Sequence, residues 1–190
     1  MFRSTFSALV AALILASPAT AATVEYLLDH DRSTVAFETS FGPDVITGTI
    51  PLNSADLTLD FEDVTNCTIA VDLDVAGAQA SFPFAAQALK GPKVLDAQNH
   101  PQMTFKSTSV RADGAGAAVS GNLTIRGVTR PITLNAEIFR QNGTEMGDRS
   151  RMTVRLTGRM NRSDFGATGW ADMVSDEVRI IITARINAKE

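Results

Sequence analysis

The chain has 190 residues, 44% of them apolar, and a single cysteine, Cys67, enough for one domain with a substantial core and no internal disulfide. Its 17 basic and 21 acidic residues leave a formal charge of −4, and the lysines and arginines are scattered singly. That excludes an electrostatic case for nucleic acid.

Residues 1–21 read as a cleaved secretory leader. Arg3 supplies a positive start, residues 8–16 an apolar centre, and Ala19-Thr20-Ala21 a small-residue cleavage site. The apolar run falls short of the roughly 20 residues that a bilayer span needs. No cysteine stands at the boundary for lipid attachment, and no later stretch is apolar enough to cross a membrane. Residues 22–190 are then expected as one exported, periplasmic domain stabilised by its core rather than by disulfides.

From Val24 onward the pattern is almost all strand. Residues 33–41 alternate Val35, Phe37, Thr39 and Phe41 against Thr34, Ala36, Glu38 and Ser40. Gly42-Pro43-Asp44 is turn chemistry. A second strand is expected over residues 45–52, and a short third one is marked by Leu57, Leu59 and Phe61. Cys67, Ile69, Val71, Leu73 and Val75 then alternate with polar and small residues, which gives Cys67 the inward parity of a small buried hydrophobe.

The period of two fails over residues 77–101. Residues 83–90 suit one or two helical turns with Phe84, Ala88 and Leu89 on one side, stopped by Gly91-Pro92, and residues 93–98 suit a further turn. A connection of this length in a compact domain is commonly a binding element or lid. Strands resume at residues 103–110, with Met103 and Phe105 on one face. Asp113-Gly-Ala-Gly116 is a hairpin turn.

Residues 119–126 and 131–139 form the next pair, with Leu123, Ile125, Ile132 and Leu134 on its aliphatic face. Gly127 suits the positive φ of the turn, and Pro131, lacking an N–H, suits the first position of a strand. Asn142-Gly143 is a hairpin signal. Residues 149–160 place Met152, Val154, Leu156, Gly158 and Met160 inward. After a glycine-rich loop with Phe165 and Trp170, residues 177–187 place Val178, Ile180, Ile182, Ala184 and Ile186 inward. Nine or ten strand segments joined by short turns predict an all-β fold, an antiparallel up-and-down β-barrel of about eight strands with short helices in one long connection.

Chemistry is sparse. In an extended strand, Asp29, His30 and Asp31 point alternately and cannot converge on a metal. His100, held extended before Pro101, has no Cys or His nearby at zinc-ligand spacing. There is no Gly-x-Ser-x-Gly elbow. Asp164, in Asn161-Arg-Ser-Asp-Phe-Gly166, suits a turn that bonds its own backbone. No enzyme, cofactor or metal is implied. What stands out is the inward face, because a closed sheet of about eight strands can hold one small ligand.

Three runs carry a resemblance: His100-Pro-Gln-Met-Thr-Phe-Lys-Ser107, Ser120-Gly-Asn-Leu-Thr-Ile-Arg-Gly-Val-Thr-Arg-Pro-Ile-Thr-Leu134, and Asn161-Arg-Ser-Asp-Phe-Gly166. Val174-Ser-Asp-Glu-Val-Arg-Ile180 adds to them. Together they resemble the YceI-like family of exported polyisoprenoid-binding proteins, and the likeness covers residues 93–190. It implies a lipocalin-like barrel with an elongated apolar interior that binds a long isoprenoid or polyprenyl-quinone-type amphiphile. It also implies, as the alternative, an interaction domain that docks on a membrane redox protein such as a b-type cytochrome. The lipocalin Gly-x-Trp signature is absent, so that likeness is architectural only.

On this reading the tunnel is lined by Phe37, Met103, Phe105, Leu123, Ile125, Ile132, Leu134, Met152, Val154, Leu156, Ile180 and Ile182. Phe82, Phe84, Leu89, Phe165 and Trp170 mark its mouth.

Overall fold

The computed structural model describes residues 23–141 and 143–189. The expected leader and Asn142 lie outside the described residues. The strands are β1 (Val24–Leu28), β2 (Thr34–Phe41), β3 (Asp44–Thr49), β4 (Leu52–Leu59), β5 (Thr68–Asp74), β6 (Gln79–Ala80), β7 (Gln102–Asp113), β8 (Gly116–Ile125), β9 (Val128–Arg140), β10 (Arg151–Asn161) and β11 (Glu177–Ala188). One helix, α1 (Pro83–Lys90), lies between β6 and β7. Proline at its first position needs no N–H there, and Gly91 stops it.

All pairings are antiparallel, and the wall closes where Tyr26 of β1 pairs with Ala188 of β11. β1 and β2 lie end to end along one edge of β11, on Ile186–Ala188 and Arg179–Thr183 respectively. They are one long strand interrupted at His30–Arg32, where the Asp29 carboxylate accepts from the Arg32 N–H at 3.2 Å. β3 and β4 are likewise one strand, since β3 pairs β2 and β4 pairs β1. Counting each interrupted strand once gives a closed eight-stranded up-and-down barrel, with β6 as a short extra edge on β3. The lipocalin-like all-β architecture is thus the observed one.

Several boundaries differ from the periodicity. The strand expected over residues 45–52 breaks at Pro51, whose missing N–H removes a rung; the chain is held instead by Asp74 N–H on the Pro51 carbonyl at 2.8 Å. Phe61 is not in a strand, because β4 ends at Leu59 and buried Asp60 turns the chain. Residues 93–98 form turns rather than a helical turn. Pro131 is the fourth residue of β9, not the first. It is tolerated because the β9–β10 pairing begins only at Asn135, so this part of β9 has no second neighbour. β9 and β10 are joined by the ten residues 141–150.

The turn between β8 and β9 consists of Arg126 and Gly127, with φ of 52° and 73°. Two positive φ values match the strand twist in a two-residue hairpin. Gly127 takes this freely. Arg126 is held there by its guanidinium, which donates to the Val94 and Gly166 carbonyls at 2.8 and 3.0 Å. One side chain thereby ties the long connection and the loop after β10 to the same hairpin.

Candidate functional site: an apolar cavity inside the barrel

The inward faces enclose a cavity of about 770 Å³, within the usual range of small-molecule sites. Its wall alternates with solvent-facing residues along every long strand, as the pleat requires. Inward glycines leave room for two of the aromatic rings. A Cβ on Gly48 would collide with the Phe37 ring, and one on Gly121 with the Phe105 ring. Both rings therefore lie along the wall, in space that a side chain would otherwise take.

Phe37, Phe82, Phe84, Leu89, Met103, Phe105, Leu123, Ile125, Ile132, Leu134, Val154, Leu156, Phe165, Trp170, Ile180 and Ile182 all line this cavity. Met152 does not. Two residues before Val154 and of the same parity, it packs behind the lining with Tyr26 and Ile186, of which Ile186 also borders the cavity. Phe165 was expected at the mouth but is 2% exposed, buried under the loop after β10. Phe82 and Phe84 stand exposed at the rim; Leu89 and Trp170 are half-buried.

The buried polar groups on the wall are already engaged. Arg162, 6% exposed, donates to four carbonyls: Ser175 from Nε at 2.9 Å, Ala167 and Gly169 from Nη1 at 2.6 and 2.8 Å, and Val174 from Nη2 at 3.0 Å. It is the hub of the loop that caps one barrel end. The Thr39 hydroxyl reaches the Glu177 carbonyl at 3.0 Å.

Asp60 accepts from the Glu62 and Asp63 N–H groups, each at 2.9 Å, and from the Asn66 amide at 3.0 Å. The Asn66 bond foremost, then the two backbone donors, hold its carboxyl below the usual carboxylate range. Among the described residues no buried side-chain nitrogen or oxygen is left without a partner. The surface offered to a guest is accordingly apolar.

Cys67 also lines the cavity, half-buried. Burial pushes its thiol up, and its sulfur accepts from the Asp60 N–H at 3.3 Å. His30 is exposed in the turn between β1 and β2. His100 is half-buried, its ring beside Gly127. The Asp164 carboxylate is exposed, and its backbone carbonyl accepts from Arg130. Ser163 instead bonds Asp176, through both its N–H and its hydroxyl. The geometry brings none of these residues together as a reactive group.

Sequence reasoning missed Arg162 and Asp60. For Asp60 the available signal was a carboxylate at a strand end with no lysine or arginine nearby in the chain; Arg162, two residues from Asp164, gave none. It also missed Phe41 and Met173, which line the cavity near its rim.

A closed antiparallel barrel around an apolar cavity, with its buried polar groups self-satisfied, defines a lipocalin-like barrel. The chain belongs to the YceI-like domain family, whose pattern matches residues 26–186. It is 28% identical over 186 residues to a UPF0312 protein of Serratia proteamaculans, covering 96% of both chains. It is 27% identical over 175 residues to Protein YceI of Salmonella arizonae, covering 90% of this chain and 91% of that one.

Among solved structures it resembles BcnA of Burkholderia cenocepacia at a TM-score of 0.74 and 24% identity, covering 83% of this chain and 98% of that one. The YCEI protein of Campylobacter jejuni gives 0.60 and 24%, covering 75% and 85%. At these identities the likeness to the solved structures concerns the fold.

Proposed function

We propose that this protein binds and carries, or stores, a polyisoprenoid or polyprenyl-quinone-type amphiphile in the periplasm, without a catalytic step. The observation that carries the reading is the cavity of about 770 Å³ whose lining is almost wholly aliphatic and aromatic. Each CH₂ moved from water into such a site gains about 0.8 kcal/mol. A chain of several isoprene units is held by that term alone, with no ion pair or covalent bond.

The family supports the same choice of ligand class. A guest with a small polar head would place its tail along Phe105, Leu123 and Ile180 and its head toward the rim, where Phe82, Phe84 and Trp170 stand.

Native mass spectrometry of the purified protein, followed by organic extraction, is the direct test. A co-purifying long-chain lipid, or saturable uptake of an added polyprenyl quinone, is the expected result. An empty protein that takes up no such quinone would refute the reading.

A further inference from the structure

Among the described residues, most of the exposed large apolar side chains cluster at one barrel end. Phe41 is 37% exposed, Val45 53%, Phe82 47%, Phe84 73% and Met173 48%. They come from three separate segments: the β2–β3 turn, the start of α1, and the loop before β11. All but Val45 also line the cavity, so the exposed apolar surface is continuous with the interior. Exposed apolar surface gathered in this way marks an interaction site.

We propose that this rim inserts into the surface of a lipid bilayer, so that a guest passes between membrane and cavity without crossing water. The shape favours a fluid apolar phase over a folded partner: the side chains are tips on three segments around an opening, not one flat face or groove.

The charge pattern specifies the kind of membrane surface. Residues 41–45, 82–89 and 170–174 contain two carboxylates, Asp44 and Asp172, and two lysines adjoin them, Lys90 at the end of α1 and Lys93 against Gly169. Two charges of each sign give anionic lipid no net attraction, and binding rests on apolar insertion, which salt does not screen. Zwitterionic bilayers are the matching surface. The inference takes the cavity as the lipid site proposed above, yet vesicle association reads the rim alone and needs no cargo.

The test is density flotation of the protein from Thr23 onward with phosphatidylcholine vesicles, and with vesicles containing phosphatidylglycerol, at low and high salt. The wild type is expected to float with phosphatidylcholine at both salt concentrations. Phe84→Ser combined with Met173→Ser should lower that partition about tenfold or more, with urea unfolding unchanged. A wild type that stays unbound overturns the proposal. So does binding confined to anionic vesicles and lost in salt, or a rim substitution whose only effect in sedimentation is to dissolve a dimer of this chain.

Discussion

Ile182 and Ile186 lie on the same face of β11, yet they are packed to different degrees. Both border the cavity, but Ile186 is 1% exposed and packed against Tyr26 and Met152, whereas Ile182 is half-buried. Replacing each with alanine removes the same atoms and makes the same change in strand preference and in the unfolded chain. At Ile186 the lost transfer energy is about 2.4 kcal/mol, at roughly 0.8 per carbon. The void left behind raises the total to about 3–4 kcal/mol. At Ile182 one side of the residue already faces empty space, so fewer contacts are lost, and the expected cost is about 1–1.5 kcal/mol. Urea unfolding with an unchanged slope reads this difference of about 2 kcal/mol as a shift in midpoint. Equal losses at the two positions would mean that Ile182 is packed like a core residue and that the barrel is filled by its own side chains.

Arg162→Lys keeps the charge but gives up the planar fork that reaches four carbonyls. It is expected to lose about 3 kcal/mol or more, measured by urea unfolding; stability equal to the wild type would show that the fork is dispensable. For Asp60, whose folded pKa is lowered, the stabilisation is complete above the unfolded value near 4. It is lost as the pH falls through the lower folded value. Asp60→Asn should therefore be less stable than the wild type at pH 7, with a gap that narrows at and below about pH 4. A gap independent of pH excludes this linkage. Cys67, with its thiol pushed up, should react slowly with iodoacetamide at neutral pH, its rate rising only at a pH above that at which a free thiol ionises. A guest in the cavity should slow it further, and a rate matching that of a free thiol, read by mass spectrometry, contradicts its place on the wall.

The barrel was legible because its strands are long and wetted on one side. β10 and β11 pair without a break from Arg151–Asn187 to Asn161–Glu177; β10 alternates strictly and β11 does so apart from Ile181. The helix α1 was legible from Pro83 and Gly91. What periodicity could not supply was depth along the barrel axis. Met152 and Val154 share a strand and a parity, but one packs against Tyr26 and the other lines the cavity. Depth depends on which residues of distant strands lie at the same level, and no local pattern carries that.

The Arg162 hub was hidden for a related reason. Its partners are backbone carbonyls, which every sequence has, so nothing in the residue types announces them. Phe165 was misplaced because its glycine-rich surroundings suggest an exposed loop, while Arg162 folds that loop inward over it.

The meeting of the first and last strands bears on how the molecule assembles. Lys189 donates its N–H to the Glu25 carbonyl at 2.8 Å, and its ammonium reaches the Glu25 carboxylate at 2.7 Å. Every other seam of the wall joins strands adjacent in the chain, whereas this one spans nearly its whole length. A nascent polypeptide can form its successive hairpins early, but the ring waits for the final dozen residues, and long-range closure of this kind slows folding. The same adjacency makes the protein suited to circular permutation. A short linker from Lys189 to Thr23, with new ends cut at the Gly114-Ala115 turn, would turn the slow seam into a local one while leaving the closed ring unchanged.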